Sequence, residues 1–243
     1  MDPDIGGYMD ESKRVESVSD WYLQEQNDFD KRLIGFRHKT LKPFLIGPEG
    51  LELGPAEGQM TQFLKDDFLR LTVVDGASTL LNQIPDYSNV TKIHSLFENF
   101  EPDRLFNTIV MEHILEHIDS PVDLLKRAAT WLAPGGRILA GVPNGNSIHR
   151  LAAVKMGLLK HQCELNTRDI AQGHRRVYTH NSFKLDIETS GLSVVEMGGV
   201  FFKPLSNQQI QDNWTEDMII GFYELGKDFK EYAADIYAVC ALP

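Results

Sequence analysis

A chain of 243 residues accommodates one large α/β domain with additions, and 42% hydrophobic with 24% charged residues is the balance of a globular protein. Acidic side chains outnumber basic ones 35 to 24, and the resulting net charge of −11 argues against a nucleic-acid partner, which asks for a basic surface. Cys163 and Cys240 have no metal or redox spacing and suit free thiols in a reducing cytoplasm. The acidic opening MDPDIGGYMDE is not a signal peptide, and no apolar run nears membrane-spanning length, so no membrane partner is expected.

In chain order, residues 1–11 are expected to be disordered. From Ser12 to Phe44 the apolar positions Val15, Val18, Trp21, Tyr22, Phe29, Leu33, Phe36 and Leu41 recur with helical spacing until Pro43 stops them. This segment reads as a pair of helices capping a sheet, or as a lid. The basic cluster Lys31, Arg32, Arg37, His38 and Lys39 suits either role. Residues 1–43 then form a tail and helical cap, and 44–243 the main domain.

The main domain opens on FLIGPEGLELGPAEG, residues 44–58, a strand running into a glycine turn and then a helix over Gln59–Asp67. Such a turn aims backbone N–H groups at a ligand beyond the carboxyl end of a parallel strand, and Gly54 and Gly58 permit close approach and positive φ. Glu52 ends the strand with a carboxylate. A dinucleotide G-x-G-x-x-G fails at Ala56 and Gln59, and no P-loop Gly-Lys-Ser/Thr is present. Leu69–Asp75 reads as a buried second strand. Asp75 stands 21 residues after Gly54, where a carboxylate grips two ribose hydroxyls; capping the helix at Ala77–Leu81 is the alternative role.

Asn89–His94 reads as the third strand and Phe106–Met111 as the fourth, followed by EHILEHI. A helix over Val122–Leu132 ends at the turn Ala133-Pro134-Gly135-Gly136, before a fifth strand over Arg137–Val142. Helices are expected over Ser147–Lys160 and His180–Ser190, with the polar loop GHRRVYT between them. A sixth strand spans Leu192–Met197 and the last strand Tyr232–Leu242. Two insertions, at about 145–172 and 200–233, interrupt the alternation. Alternating strands and helices imply an open parallel sheet covered on both faces, with ligands at the carboxyl ends of its strands.

The spacing Glu52-x-Gly54-x-Ala56-x-Gly58, the run MEHILEHI and the segment LAPGGRILAGVPN resemble the motifs of class I S-adenosylmethionine-dependent methyltransferases, chiefly those acting on small molecules. The resemblance covers roughly residues 44–144, with a weaker echo to 200. It implies a Rossmann-like, seven-stranded, mostly parallel sheet whose last strand is antiparallel, with S-adenosyl-L-methionine as cofactor and S-adenosyl-L-homocysteine as product. It places the cofactor against Glu52, Gly54, Ala56, Gly58, Asp75, Gly76, Met111 and Glu112. Leu96 and Phe97 lie beside the adenine, although His94 or Ser95 stands where the usual acid would follow the third strand.

The reaction needs the acceptor aligned with the methyl, and a hydroxyl acceptor benefits from a base. His113, after the fourth strand, is one candidate base, or a loop histidine with a structural bond. His174, in the GHRRVY loop, is the other, or a helix-entry contact. Asn144, Arg175 and Tyr178 are candidate substrate ligands, with Arg176 beside them. Glu116 and His117 are read as turn geometry. His161-Gln162-Cys163 offers two metal ligands without partners, so no metal is expected. The expected acceptor is a hydroxyl or amine of a small polar metabolite, of natural-product or sugar-tailoring type, handled by a monomer or homodimer. Val142-Pro143-Asn144-Gly145 stands where exocyclic-amine methyltransferases carry Asn/Asp-Pro-Pro-Tyr/Phe. A non-catalytic cofactor-binding regulator or partner subunit on the same fold is the alternative, and a nicotinamide oxidoreductase is disfavoured by Ala56 and Gln59.

Overall fold

The computed structural model describes residues 11–24 and 28–243, leaving aside the side chains of 20–24. The expected disorder of residues 1–11 and the side chains of Trp21 and Tyr22 therefore fall outside the described residues, except that Glu11 opens the first helix.

Seven strands form one sheet: β1 (Glu49–Leu53), β2 (Arg70–Asp75), β3 (Val90–His94), β4 (Phe106–Glu112), β5 (Leu132–Pro143), β6 (Ser193–Val200) and β7 (Asp235–Ala241). Their order is β3-β2-β1-β4-β5-β7-β6, and only β7 runs antiparallel to its neighbours. The order reverses between β1 and β4, and that switch point is where open α/β sheets bind ligands. Side chains alternate between the faces of each strand. Leu51, Leu53, Ile109 and Met111 therefore pack into one core with Leu125 and Ile138. Val73 and Val110 pack on the other face with Met60, Leu64 and Leu71.

Before the sheet come α1 (Glu11–Gln24) and α2 (Asp28–Leu41). The basic cluster of α2 fastens it to the rest of the molecule. Arg37 Nε donates to Asp235 Oδ2 at 2.8 Å, His38 Nε2 lies 2.6 Å from Asp67 Oδ2, and Arg32 pairs with Glu216 at 2.6 Å. Helices α3 (Thr61–Leu64) and α4 (Ser78–Leu81) are single turns. The longer helix expected over 59–67 gives way after Leu64 because Asp66 and Asp67 bond three residues back, to Phe63 and Leu64.

Helix α5 (Pro121–Thr130) stops two residues sooner than the pattern suggests, because the Trp131 carbonyl accepts from Phe106 N in the sheet. β5 then runs through Ala133–Gly136, where a turn was expected. The register steps from Phe106↔Leu132 to Thr108↔Arg137, and Gly135 at φ +75° absorbs the irregularity. The two insertions carry α6 (Ile148–Lys155), α7 (Thr167–Ala171), α9 (Asn207–Asn213) and α10 (Glu216–Asp228), with α8 (His180–Thr189) between them. α6 ends five residues before the expected Lys160, at a turn through Gly157 with φ +73°. The polar stretch before His174 contains α7, opened by a reciprocal capping box between Asn166 and Asp169.

A satellite core joins α2, α9 and α10 to the end of β6, with Phe29 edge-on to Phe201 at 5.2 Å and Phe36 stacked on Tyr223 at 4.4 Å. Among the described residues no helix is long and apolar enough to cross a membrane.

Gly226 lets α10 approach the backbone after β6, since a Cβ there would sit 2.8 Å from Phe201 Cα. In an open helix, alanine for glycine gains about 1 kcal/mol. Here the collision with main chain outweighs that gain, because overpacking costs about 1–3 kcal/mol. Gly226→Ala should therefore lower the urea midpoint at unchanged m-value. An unchanged or raised midpoint would show that the two elements are not in this contact.

Candidate active site

A cavity of about 300 Å³ opens at the carboxyl ends of β1, β2 and β4, beneath α1 and α2. Its first wall is the turn after β1. Gly54 has φ +67°, Ala56 +46° and Gly58 +88°, and the Gly54 N–H donates to the Val74 carbonyl at 2.9 Å. A side chain on Gly54 would collide with Ile114 Cδ1, so this position admits only glycine without rearrangement. Glu52, buried at the tip of β1, accepts from Thr61 Oγ1 at 2.7 Å. Asp75, at the tip of β2, accepts from Ala77 N at 2.8 Å and Ala56 N at 3.3 Å, so one carboxylate ties the two turns together.

Gly76, Leu96 and Phe97 continue the wall, and Ile114 and Ile118 line the cavity as well. Gly76 lies under α1, where a Cβ would meet Val15 Cγ1 at 3.3 Å. Glu16 of α1 accepts from both Ser78 N and Ser78 Oγ at 2.7 Å, so α1 roofs this end of the cavity.

The second end is lined by Glu112, His113, His117 and His174, with Arg37 of α2 and Arg168 and Gln172 of the first insertion. His113 has a left-handed backbone, φ +55°, rare for a residue with a Cβ and held by its N–H on the Gly141 carbonyl at 2.9 Å. Its Nε2 lies 3.5 Å from Asp235 Oδ1 and its Nδ1 3.4 Å from Glu116 Oε1. Asp235 is pinned by Arg37. His174 packs edge-on against His117, with ring centres 4.7 Å apart, and its Nδ1 lies 3.6 Å from Asp169 Oδ1.

Burial governs the charges here. It pushes Glu52 up to about 8, Asp75 to about 6 and Glu112 to about 7. Burial also holds His113 below the usual imidazole value, with the Arg37 charge adding to the effect. His117 is held well below that value, and His174 falls to about 4 despite the Asp169 carboxylate. Asp235 is the exception: despite burial, the Arg37 guanidinium beside it holds it far below the usual carboxylate range. The cavity thus presents neutral imidazoles and strongly desolvated acids at neutral pH.

Several residues singled out in the sequence lie elsewhere. Met111 is fully buried in the core and does not line the cavity, because the alternation of β4 turns Glu112 inward instead. Gly58 shapes the turn but faces Ile84. Asn144 is spent on structure: its Nδ2 donates to the carbonyls of Glu231 and Ala233 at 3.0 and 2.9 Å, and its Oδ1 accepts from Asn146 N at 2.9 Å. Tyr178 donates to Asp186 Oδ2 at 2.8 Å within the core. Arg175 bonds the His117 carbonyl at 2.8 Å and pairs with Glu11 and Asp119, while Arg176 bonds the carbonyls of Leu115, Ile118 and Asp119. Both arginines brace the loop after β4 instead of facing the cavity. Conversely, the sequence reading gave His117, four residues from His113, a turn role, whereas it lines the cavity beside His113. It also missed Asp235, whose partner Arg37 lies 198 residues away.

A doubly covered, mostly parallel sheet with a glycine turn and acids at the tips of β1 and β2 defines a nucleoside-cofactor protein of the α/β class. The family model described as "Methyltransferase domain" matches residues 23–197. The chain belongs to this family and is a class I S-adenosylmethionine-dependent methyltransferase. It is 24% identical over 180 residues to the ubiquinone biosynthesis O-methyltransferase of Aeromonas salmonicida (strain A449), covering 68% of this chain and 71% of that protein. Among solved structures, the N-methyltransferase NodS from Bradyrhizobium japonicum WM9 in complex with S-adenosyl-L-homocysteine aligns at TM-score 0.59 and 17% identity, covering 96% and 97% of the two chains. A SAM-dependent methyltransferase from Archaeoglobus fulgidus aligns at TM-score 0.61 and 18% identity, covering 90% and 99%. At these identities the structures show a shared fold.

Glu52 supplies a test of the buried acids. Its carboxyl binds a proton in the folded chain at pH values where the unfolded chain has released it, so stability falls as pH rises from about 4.5 to about 8. Glu52→Gln removes that contribution while still accepting from Thr61. The variant's melting temperature should gain on the wild type as pH is raised across this range. A difference independent of pH would mean that Glu52 is not desolvated.

Proposed function

We propose that the chain transfers the methyl group of S-adenosylmethionine to a hydroxyl of a small polar molecule. The observation that carries this reading is that one continuous cavity joins the acid-and-glycine end at β1 and β2 to an end walled by neutral histidines. The residues present fit the cofactor. Asp75 takes a single N–H on each oxygen, which leaves lone pairs for two ribose hydroxyls. Leu96, Phe97 and Ile118 offer an apolar slot for a base. Glu112 Oε1 is buried without a hydrogen-bond partner among the described residues, and with Glu52 it would face the ammonium of the amino-acid end.

The cofactor supplies an activated methyl on a sulfonium; the chain must hold it, orient the acceptor and exclude water. α1 covers the nucleoside end. His113, its Nε2 facing the ionised Asp235, would take the acceptor's proton on Nδ1, and Asp235 would stabilise the resulting imidazolium. An amine acceptor has no comparable need of a base, which is why a hydroxyl is favoured here. The O-methyltransferase name of the Aeromonas relative supports the same choice.

Incubation with methyl-labelled cofactor and the small-molecule fraction of a cell extract should place label in an alkali-stable ether. Label confined to protein or nucleic acid, or cofactor binding without turnover, would contradict the proposal.

Three substitutions separate the roles. Asp75→Ala should weaken S-adenosylhomocysteine binding at least about tenfold by calorimetry, since charge-accepted hydrogen bonds are worth about 1.5–3 kcal/mol. Gly54→Val should abolish that binding. His113→Gln should leave binding intact and cut turnover by about 100-fold or more, the usual scale of a lost base; wild-type turnover would assign His113 a structural role.

A further inference from the structure

We propose that Glu116, His117 and His174 form a binding site for one divalent transition-metal ion in the wall of the cavity. Each offers one ligand atom, and these atoms all lie within 4.8 Å of one another. The sequence reading expected no metal, having weighed only His161-Gln162-Cys163; His174 stands 57 residues beyond His117, and only the fold joins them.

Glu116 carries the argument. It is 0% exposed, and neither carboxylate oxygen has a hydrogen-bond partner among the described residues. A carboxylate buried in this way is costly unless something satisfies it. Among the described residues no lysine or arginine lies within ion-pair distance of it, the Arg37 charge acting only from farther off; its near neighbours are the imidazoles of His113, at 3.4 Å, and His117, at 3.9 Å. Two imidazole nitrogens and a carboxylate within 4.8 Å of one another form a donor set suited to a cation.

The surroundings of His174 match those of a metal ligand. Metal-bound histidines turn their second nitrogen to a carboxylate or backbone carbonyl, which fixes the ring. The Nδ1 of His174 faces Asp169, which is itself held by Arg150 at 3.1 Å and by the capping box with Asn166. That leaves Nε2 for an ion.

The chain also fixes the two loops against each other. Arg175 N donates to the Glu116 carbonyl at 2.8 Å, and the Arg175 side chain holds the His117 carbonyl. The arginines after His174 thus act as positioning residues for this cluster. Ligation at about 2.0–2.2 Å would draw the donors together by up to about 1.5 Å.

Two imidazoles and one carboxylate select a zinc-type ion over magnesium or calcium, which prefer oxygen. His117 and His174 line the cavity, so an ion there has an open position toward it. On the methyl-transfer reading, that position would take an acceptor oxygen and leave His113 as the base.

The test uses the full chain, stripped with a chelator and dialysed. Zn²⁺ titrated by calorimetry should bind at one ion per chain, and Co²⁺ should give visible absorption bands of a protein-bound ion. Glu116→Gln and His174→Ala, each checked for folding by circular dichroism, should weaken both at least 100-fold. Absence of saturable one-to-one binding to folded wild type overturns the proposal. So does binding of wild-type strength in the double variant Glu116→Gln/His174→Ala. S-adenosylhomocysteine binding by the same stripped protein reports on the methyltransferase reading separately, because its nucleoside end shares no residue with the cluster.

Discussion

The site is organised by acids that the fold takes out of water. Glu52, Asp75 and Glu112 stand at the tips of three adjacent strands, and burial raises all of them. A chain of net charge −11 gains nothing in stability from crowding carboxylates into one cleft. Strand register puts them there: β1, β2 and β4 are parallel neighbours, so their carboxyl ends lie side by side. Their unmet hydrogen-bonding capacity is what a cofactor rich in hydroxyl and amino donors would satisfy. Stability given up in the free protein becomes affinity for that ligand.

Asp235 shows the opposite solution to the same problem. Its charge is matched by Arg37 at 2.8 Å, so it remains ionised inside the protein. That pair does two things at once. It fastens α2 to the start of β7, and it puts a fixed negative charge behind His113. The cap helices are therefore part of the site. α2 supplies the cation that holds Asp235, and α1 reaches Ser78 through Glu16 and roofs the β2 end of the cavity.

Much of this was legible in the sequence because it is local. The glycine turn after Leu53 and the β4 motif each lie within a few residues, Asp75 follows at a fixed strand–helix–strand spacing, and the alternating pattern predicts the parallel sheet that is observed. What escaped is what depends on distant pairing or strand phase. Met111 was placed at the cavity when the alternation of β4 makes it core. Asn144, Arg175 and Tyr178 carry polar groups that suit a substrate, but their partners, Glu231, Glu11 and Asp186 among them, are set by how loops meet. Side-chain chemistry was read correctly there; whether that chemistry was already satisfied could not be read. The histidine-rich end shows the converse: Glu116 and His117 look like turn residues until His174 is brought against them.

The central claim is that this one cleft holds the sulfonium nucleoside. A crystal structure of the full chain grown with S-adenosylhomocysteine tests it most directly. The account predicts electron density between the turn after β1 and the tip of β4, with both ribose hydroxyls on Asp75 and the base against Leu96 and Phe97. Density at another surface, or a ribose that leaves Asp75 untouched, would contradict it.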